Sequence, residues 1–127
     1  MLDSLQGEII RVDPLTGSEL ARIPLPGNLK DVAAGDGGVW VLDSVAGTAT
    51  PIDPSTDTAL SPVGLGSTPT AIAVGLSSAW VSDRDGNLYR IDPELGRATP
   101  IPLGTPLAVV AIDEAGRSVW VGTFADA

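Results

Sequence analysis

The chain has 127 residues, no cysteine, no histidine and a net charge of −9, from 16 acidic against 7 basic side chains. That balance argues against a phosphate-neutralising surface for nucleic acid or an anionic membrane, and the missing residue types remove disulfides, thiolate nucleophiles, cysteine-ligated zinc and the commonest general base. A hydrophobic content of 43% is enough for a core, and 15 Gly and 11 Pro spread along the chain punctuate many short elements, which predicts an all-β fold.

Residues 1–7 have neither the basic start nor the apolar centre of a secretory signal, and no run approaches membrane-spanning length. The chain is therefore expected to be soluble, with no membrane insertion; its compartment is left open. The first expected strand covers 8–12, and Asp13-Pro14-Leu15-Thr16-Gly17 then places proline where a turn needs its fixed φ and glycine where φ turns positive. A second strand at 19–23 leads through the loop 27–31 into a small apolar strand at 31–34. Next comes Gly38-Val39-Trp40-Val41-Leu42-Asp43, the loop 43–47 and a strand at 49–52. The order then repeats: turn 53–57, strand 58–63, loop 66–69, strand 70–74, Ser78-Ala79-Trp80-Val81-Ser82-Asp83, loop 83–86, strand 88–91, turn 92–96 and strand 97–101. Loop 104–106, strand 108–112, Ser118-Val119-Trp120-Val121-Gly122-Thr123 and a last loop at 123–126 complete the chain.

Trp40, Trp80 and Trp120 mark a period of 40 residues, and Asp13-Pro14, Asp53-Pro54 and Asp92-Pro93 keep nearly the same beat. The whole chain thus reads as one domain with repeats at about 7–46, 47–86 and 87–127, each a meander of four antiparallel strands. The first strand of the unit is small and apolar, as the crowded axis of a radial arrangement requires, and the fourth is the most polar and proline-rich, as suits an outer edge. Pro62 and Pro100 fit that edge, whereas Pro51 falls in an inner third strand and predicts a bulge or irregular pairing. The tryptophans lie in segments without a polar face, so each is expected in the core, covered by neighbouring sheets on both sides.

Pro69, Ala71-Ile72-Ala73-Val74-Gly75, Val119-Trp120-Val121, Asp83, Arg90-Ile91-Asp92-Pro93 and Ile101-Pro102 resemble β-propeller blades of the YVTN and NHL-like groups, including the streptogramin lyase-like proteins. The resemblance spans nearly the whole chain and implies four-stranded blades, three blade-equivalents in all. Strands three and four form a half-blade at the N-terminal end, two whole blades follow, and strands one and two form a half-blade at the C-terminal end. Such an open stack is expected to close as a six-bladed ring in a C₂ homodimer, each half-blade completed by the other chain. Its rivals are a segment of a longer propeller and nine blades from three chains.

The resemblance also implies where ligands meet the fold, namely the face formed by loops between strands two and three and by loops entering strand one. There lie Asn28, Lys30, Asp31, Asp43, Thr68, Asp83, Arg84, Asp85 and Thr105, the expected ligand-binding residues. Asp83-Arg84-Asp85-Gly86-Asn87 is the densest polar group; it lacks the remaining spaced ligands of a calcium loop, and Asp-Gly is first a tight-turn signal. Lys30, the only lysine, reads as a solvated side chain, while Arg11 and Arg90 at matching third-strand positions read as caps for carbonyls or partners of turn carboxylates. No catalytic residue, cofactor or metal site is expected. The function read from the sequence is a non-enzymatic scaffold or binding module for a protein or small ligand. The alternatives are a metal-dependent enzyme of the streptogramin lyase or lactonase type, whose histidine this chain lacks, with Asp31, Asp43, Asp83 and Asp85 as the remaining metal route, or a piece of a sensor ectodomain.

Overall fold

In the computed structural model, which describes residues 6–36, 38–65 and 68–124, all regular structure is β-strand. The readings that fell on residues 1–5, Gly37, Gly66, Ser67 and 125–127 lie outside the described residues. The strands are β1 (Gln6–Val12), β2 (Glu19–Pro26), β3 (Leu29–Gly35), β4 (Gly38–Asp43), β5 (Thr48–Asp53), β6 (Thr58–Ala59), β7 (Val63–Gly64), β8 (Pro69–Gly75), β9 (Ser78–Asp83), β10 (Asn87–Asp92), β11 (Arg97–Pro102), β12 (Leu107–Asp113) and β13 (Ser118–Thr123). Every pairing is antiparallel. Strands β3 to β7 form one meander, with β6 and β7 both against β5, and β8 to β11 form a second; β1–β2 and β12–β13 are two-stranded sheets. In the terms of the expected repeat these sheets correspond to two blades and two half-blades, and no closed sheet forms among the described residues.

The repeat extends to register. The three inner hairpins pair Ala33 with Trp40, Ala73 with Trp80 and Ala111 with Trp120, and each is bulged three residues before that alanine, at Lys30, Thr70 and Ala108. Since side chains alternate along a strand, every tryptophan points to the same side of its sheet, toward the next blade. Strand β3 packs on β8 and β8 on β12. Gly35 and Gly75 sit at these contacts, where an added Cβ would come within 2.8 Å of the Val74 carbonyl oxygen and 2.6 Å of the Ile112 Cγ2.

Two apolar clusters fill the spaces between sheets. Trp40, Leu42, Ile72, Val74, Tyr89 and Ile91 lie in the one between the whole blades. Ile23, Leu25, Val41 and Ile52 form the other, which seats the β1–β2 half-blade. The tryptophans grade along the stack: Trp40 is 1% exposed, Trp80 is half-buried, and Trp120 is 66% exposed. The expectation of three core tryptophans is corrected at Trp120, because among the described residues no sheet covers the outward face of β13. Coverage on both sides holds for β4 and β9 and fails for β13.

Pro51 also departs from expectation. The β4–β5 ladder runs regularly through the Trp40–Pro51 pair. The Pro51 carbonyl accepts from the Leu60 N–H, so this residue's backbone polar groups face the outer strand and its missing N–H costs the inner ladder nothing. The irregularity appears outside, where the fourth strand breaks into β6 and β7 around Pro62.

The Asp-Pro turns form as expected. The N–H of Gly17, Asp57 and Gly96 donates to the carbonyl of Asp13, Asp53 and Asp92 at 2.8 Å each. These fifth residues have φ of 77°, 56° and 62°, with Asp57 accepting the left-handed region in place of glycine. The Ser55 hydroxyl donates to Asp53 Oδ1 at 2.6 Å, and this bond, followed by the Ser55 backbone N–H, holds the Asp53 carboxyl below its ordinary pKa. A carboxyl depressed on folding contributes stability that is complete above its unfolded-state value and is lost as pH falls through the folded-state value. Ser55→Ala is expected to raise the Asp53 titration midpoint in a carbon-detected NMR titration; an unchanged midpoint would contradict this cause.

Candidate functional site

The loop face is built by the turns after β4 and β9 and the segments entering β3 and β8. Asp43 ends β4, where its Oδ1 accepts the N–H of Val45 and Ala46 at 2.9 Å each and its Oδ2 accepts that of Asn28 at 3.3 Å. Asp83 ends β9 in the same way, with Oδ1 accepting from Asp85 at 3.0 Å and Asn87 at 2.8 Å, and it is fully buried. These carboxylates are committed to the backbone of their own turns, and Asp43 also binds its turn to the loop that enters β3. Two further bonds repeat the arrangement, from Ser44 N–H to the Asn28 carbonyl and from Arg84 N–H to the Thr68 carbonyl, both 3.2 Å.

Asp31 acts between blades. Its Oδ1 accepts from the Val32 N–H at 2.9 Å and its Oδ2 from the Ile72 N–H of the next blade at 3.2 Å. Lys30 is exposed at the β3 bulge, Asp85 is exposed at its turn, and Thr105 is exposed in the segment between β11 and β12, its backbone against Gly86. Of the nine expected residues four thus pair within blades, Asn28 with Asp43 and Thr68 with Arg84, and no cluster among the described residues gathers all nine. Among the described residues no three acidic side chains converge in a way that could hold a metal ion, and no helix is long and apolar enough to cross a membrane.

The structure adds one pairing on this face. The Arg84 guanidinium lies 4.6 Å from the centroid of the exposed Phe124 ring, a cation–π stack between neighbouring blades. Ser44, Arg84 and Phe124 each follow the residue that ends a Trp-bearing strand, so the repeat alignment places the two partners in register. That alignment was the one signal able to find them.

The second surface is the open end at β1. Ile10, Arg11, Val32, Ala34, Val39 and Ile52 line an apolar groove of about 570 Å³ that runs beside β1 and over β3. Arg11 stands at its wall as expected of a turn cap, with Nη1 donating to the Pro54 carbonyl at 3.3 Å and paired with Asp57 Oδ1 at 3.4 Å. Arg90 departs from that expectation: its Nε donates to Ser78 Oγ at 3.2 Å and its guanidinium lies 5.9 Å from the Trp80 ring centroid, so its partners are a hydroxyl and an aromatic face. Of the remaining carboxylates, Glu8 and Glu19 share Arg22 at 2.7 and 2.6 Å on the exposed outer sheet, and the hydrogen bond to Arg22 lowers the Glu19 pKa.

No family model matches the chain, and none of the curated proteins does. Solved structures match well in shape. Hydrazine synthase of Kuenenia stuttgartiensis superposes with a TM-score of 0.77 at 15% identity, over 90% of this chain and 35% of that one. Apo AztD from Citrobacter koseri gives 0.65 at 21% identity over 80% of this chain and 32% of that one, and Citrobacter koseri AztD gives 0.65 at 19% over 94% and 34%. This chain spans about a third of each. At such identities the likeness concerns the fold alone, and that fold is of the β-propeller type.

Proposed function

We propose that this chain is a non-enzymatic β-propeller scaffold of the YVTN/NHL-like kind, which completes its half-blades with complementary strands and presents the loop face to a protein or small ligand. The observation that carries the reading is the state of the carboxylates: Asp31, Asp43 and Asp83, the acids best placed for metal-assisted chemistry, each accept backbone N–H bonds that hold blades and turns together. What remains outward on the face is exposed and suited to contact, including Lys30, Asp85, Thr105 and the Arg84–Phe124 stack. The edges of β1 and β13, unpaired among the described residues, and the exposed Trp120 support completion by further strands.

The test is thermal unfolding with Ca²⁺, Mg²⁺ or a chelator, run beside sedimentation of the same samples. The midpoint is expected to stay within about 1 °C across the metal conditions, since a ligand that does not bind the native state leaves its stability unchanged. A metal-dependent rise of many degrees would return the molecule to the metal-enzyme reading.

A further inference from the structure

The joint between consecutive blades is built from matching positions each time. Trp40 on β4 is buried in one cluster with Ile72 and Val74 of β8. The residues that match Ile72 and Val74 one blade earlier are Val32 and Ala34, and both are exposed; the residue that matches Trp40 at the other end of the stack is Trp120, also exposed. The two halves of a further joint are therefore present at opposite ends of the stack. The edges correspond as well. Strand β10 pairs with β9 with Arg90 opposite Trp80, and β5 pairs with β4 with Pro51 opposite Trp40, while the equivalent edges of β1 and β13 have no strand beside them among the described residues.

We propose that the occupant of the groove at β1 is a second copy of this chain: its β13 adds antiparallel to β1 with Trp120 opposite Arg11, and the indole lies over Val32 and Ala34. The proposal rests on the scaffold reading and names its partner. Arg90 supplies the pattern for Arg11, stacked on the tryptophan opposite and bonded to the serine that begins the same strand, here Trp120 and Ser118 of the second copy. The bonds from Arg11 Nη1 to Pro54 and Asp57 already hold the guanidinium at the groove wall. Two-fold symmetry makes the exchange reciprocal, so both open edges close and six blades complete a ring. The ring also covers Ile10 and Val12, 46% and 50% exposed, whose counterparts Tyr89 and Ile91 are buried in the chain's own stack. An occupant of another sequence would have to reproduce the face that this chain already carries on β12 and β13.

Because Pro51 turns its polar groups away from Trp40, this position of the ladder is a non-hydrogen-bonded pair, with Cα atoms about 4.5 Å apart and suited to a disulfide. The chain has no cysteine of its own. Sedimentation of the intact chain is expected to give the mass of two copies, falling to one in Trp120→Glu with strand circular dichroism retained. Under mild oxidation the double variant Arg11→Cys/Trp120→Cys is expected to form a covalent dimer, and Arg11→Cys/Ser118→Cys, two residues out of register, is not. A two-copy mass with linkage only in the second variant overturns this joint and leaves the scaffold reading standing. A one-copy or three-copy mass for the unsubstituted chain overturns the two-copy ring, while the metal-independence of unfolding is judged separately.

Discussion

Trp40→Ala is expected to destabilise the chain by about 3–5 kcal/mol, a large share of the total for a domain of this size. Trp40 is 1% exposed and lies between two sheets in the largest apolar cluster, so truncation leaves a cavity that the rigid meanders on either side cannot collapse to fill. Urea unfolding followed by far-ultraviolet circular dichroism measures the loss without relying on the fluorophore removed. Trp120→Ala offers the contrast. At 66% exposure it takes little packing from its own chain, and surface substitutions of this kind fall within about 0.5 kcal/mol. Its effect is expected in assembly, as a weakened form of the proposed two-copy joint that needs a higher protein concentration to populate. Equal losses at both positions, independent of concentration, would contradict the graded burial of the tryptophans.

Asp83→Ala is expected to cost about 3 kcal/mol, because the substitution leaves the N–H groups of Asp85 and Asn87 without their charged acceptor in a turn whose anchor is fully buried. Asp83→Asn keeps an acceptor oxygen and is expected to recover part of the loss. Asp85→Ala, on an exposed side chain in the same turn, is expected to stay within about 0.5 kcal/mol. The three variants compared by chemical denaturation separate the two roles: if Asp85 cost as much as Asp83, the acidic group would be acting as a unit and not as one anchor with an exposed neighbour.

Features whose chemistry is local were legible in the residues. The Asp-Pro turns formed because the carboxylate, the fixed φ and the left-handed position all lie within five residues of one another. Four strands per period followed from the spacing of those turns. The recurrent bulge at Lys30, Thr70 and Ala108 was not legible, since three different side chains occupy it and none marks a kink. Pro51 misled for a related reason. A proline removes an N–H, but the side of the strand from which it is removed depends on ladder parity, which only the pairing reveals.

The candidate site divides along the same line. That Asp43, Asp83, Asn28, Arg84 and the others share one end of the sheets came from the order of strands and turns. Which of them remain available for a ligand depended on where each carboxylate found its donors, and Asp31, Asp43 and Asp83 turned out to be joining pieces of the scaffold itself.

By itself the sequence determined the period, the strand order within it and the place of the tryptophan along its strand, because turn chemistry acts between near neighbours. The tertiary structure decided which side of the sheet each tryptophan takes and whether that side is covered. Burial of Trp40, Trp80 and Trp120 depends on the sheet stacked beyond each, and the last has none among the described residues. Identical positions in three repeats therefore end in three environments, because burial comes from the neighbouring sheet and is not a property of the strand that carries the residue.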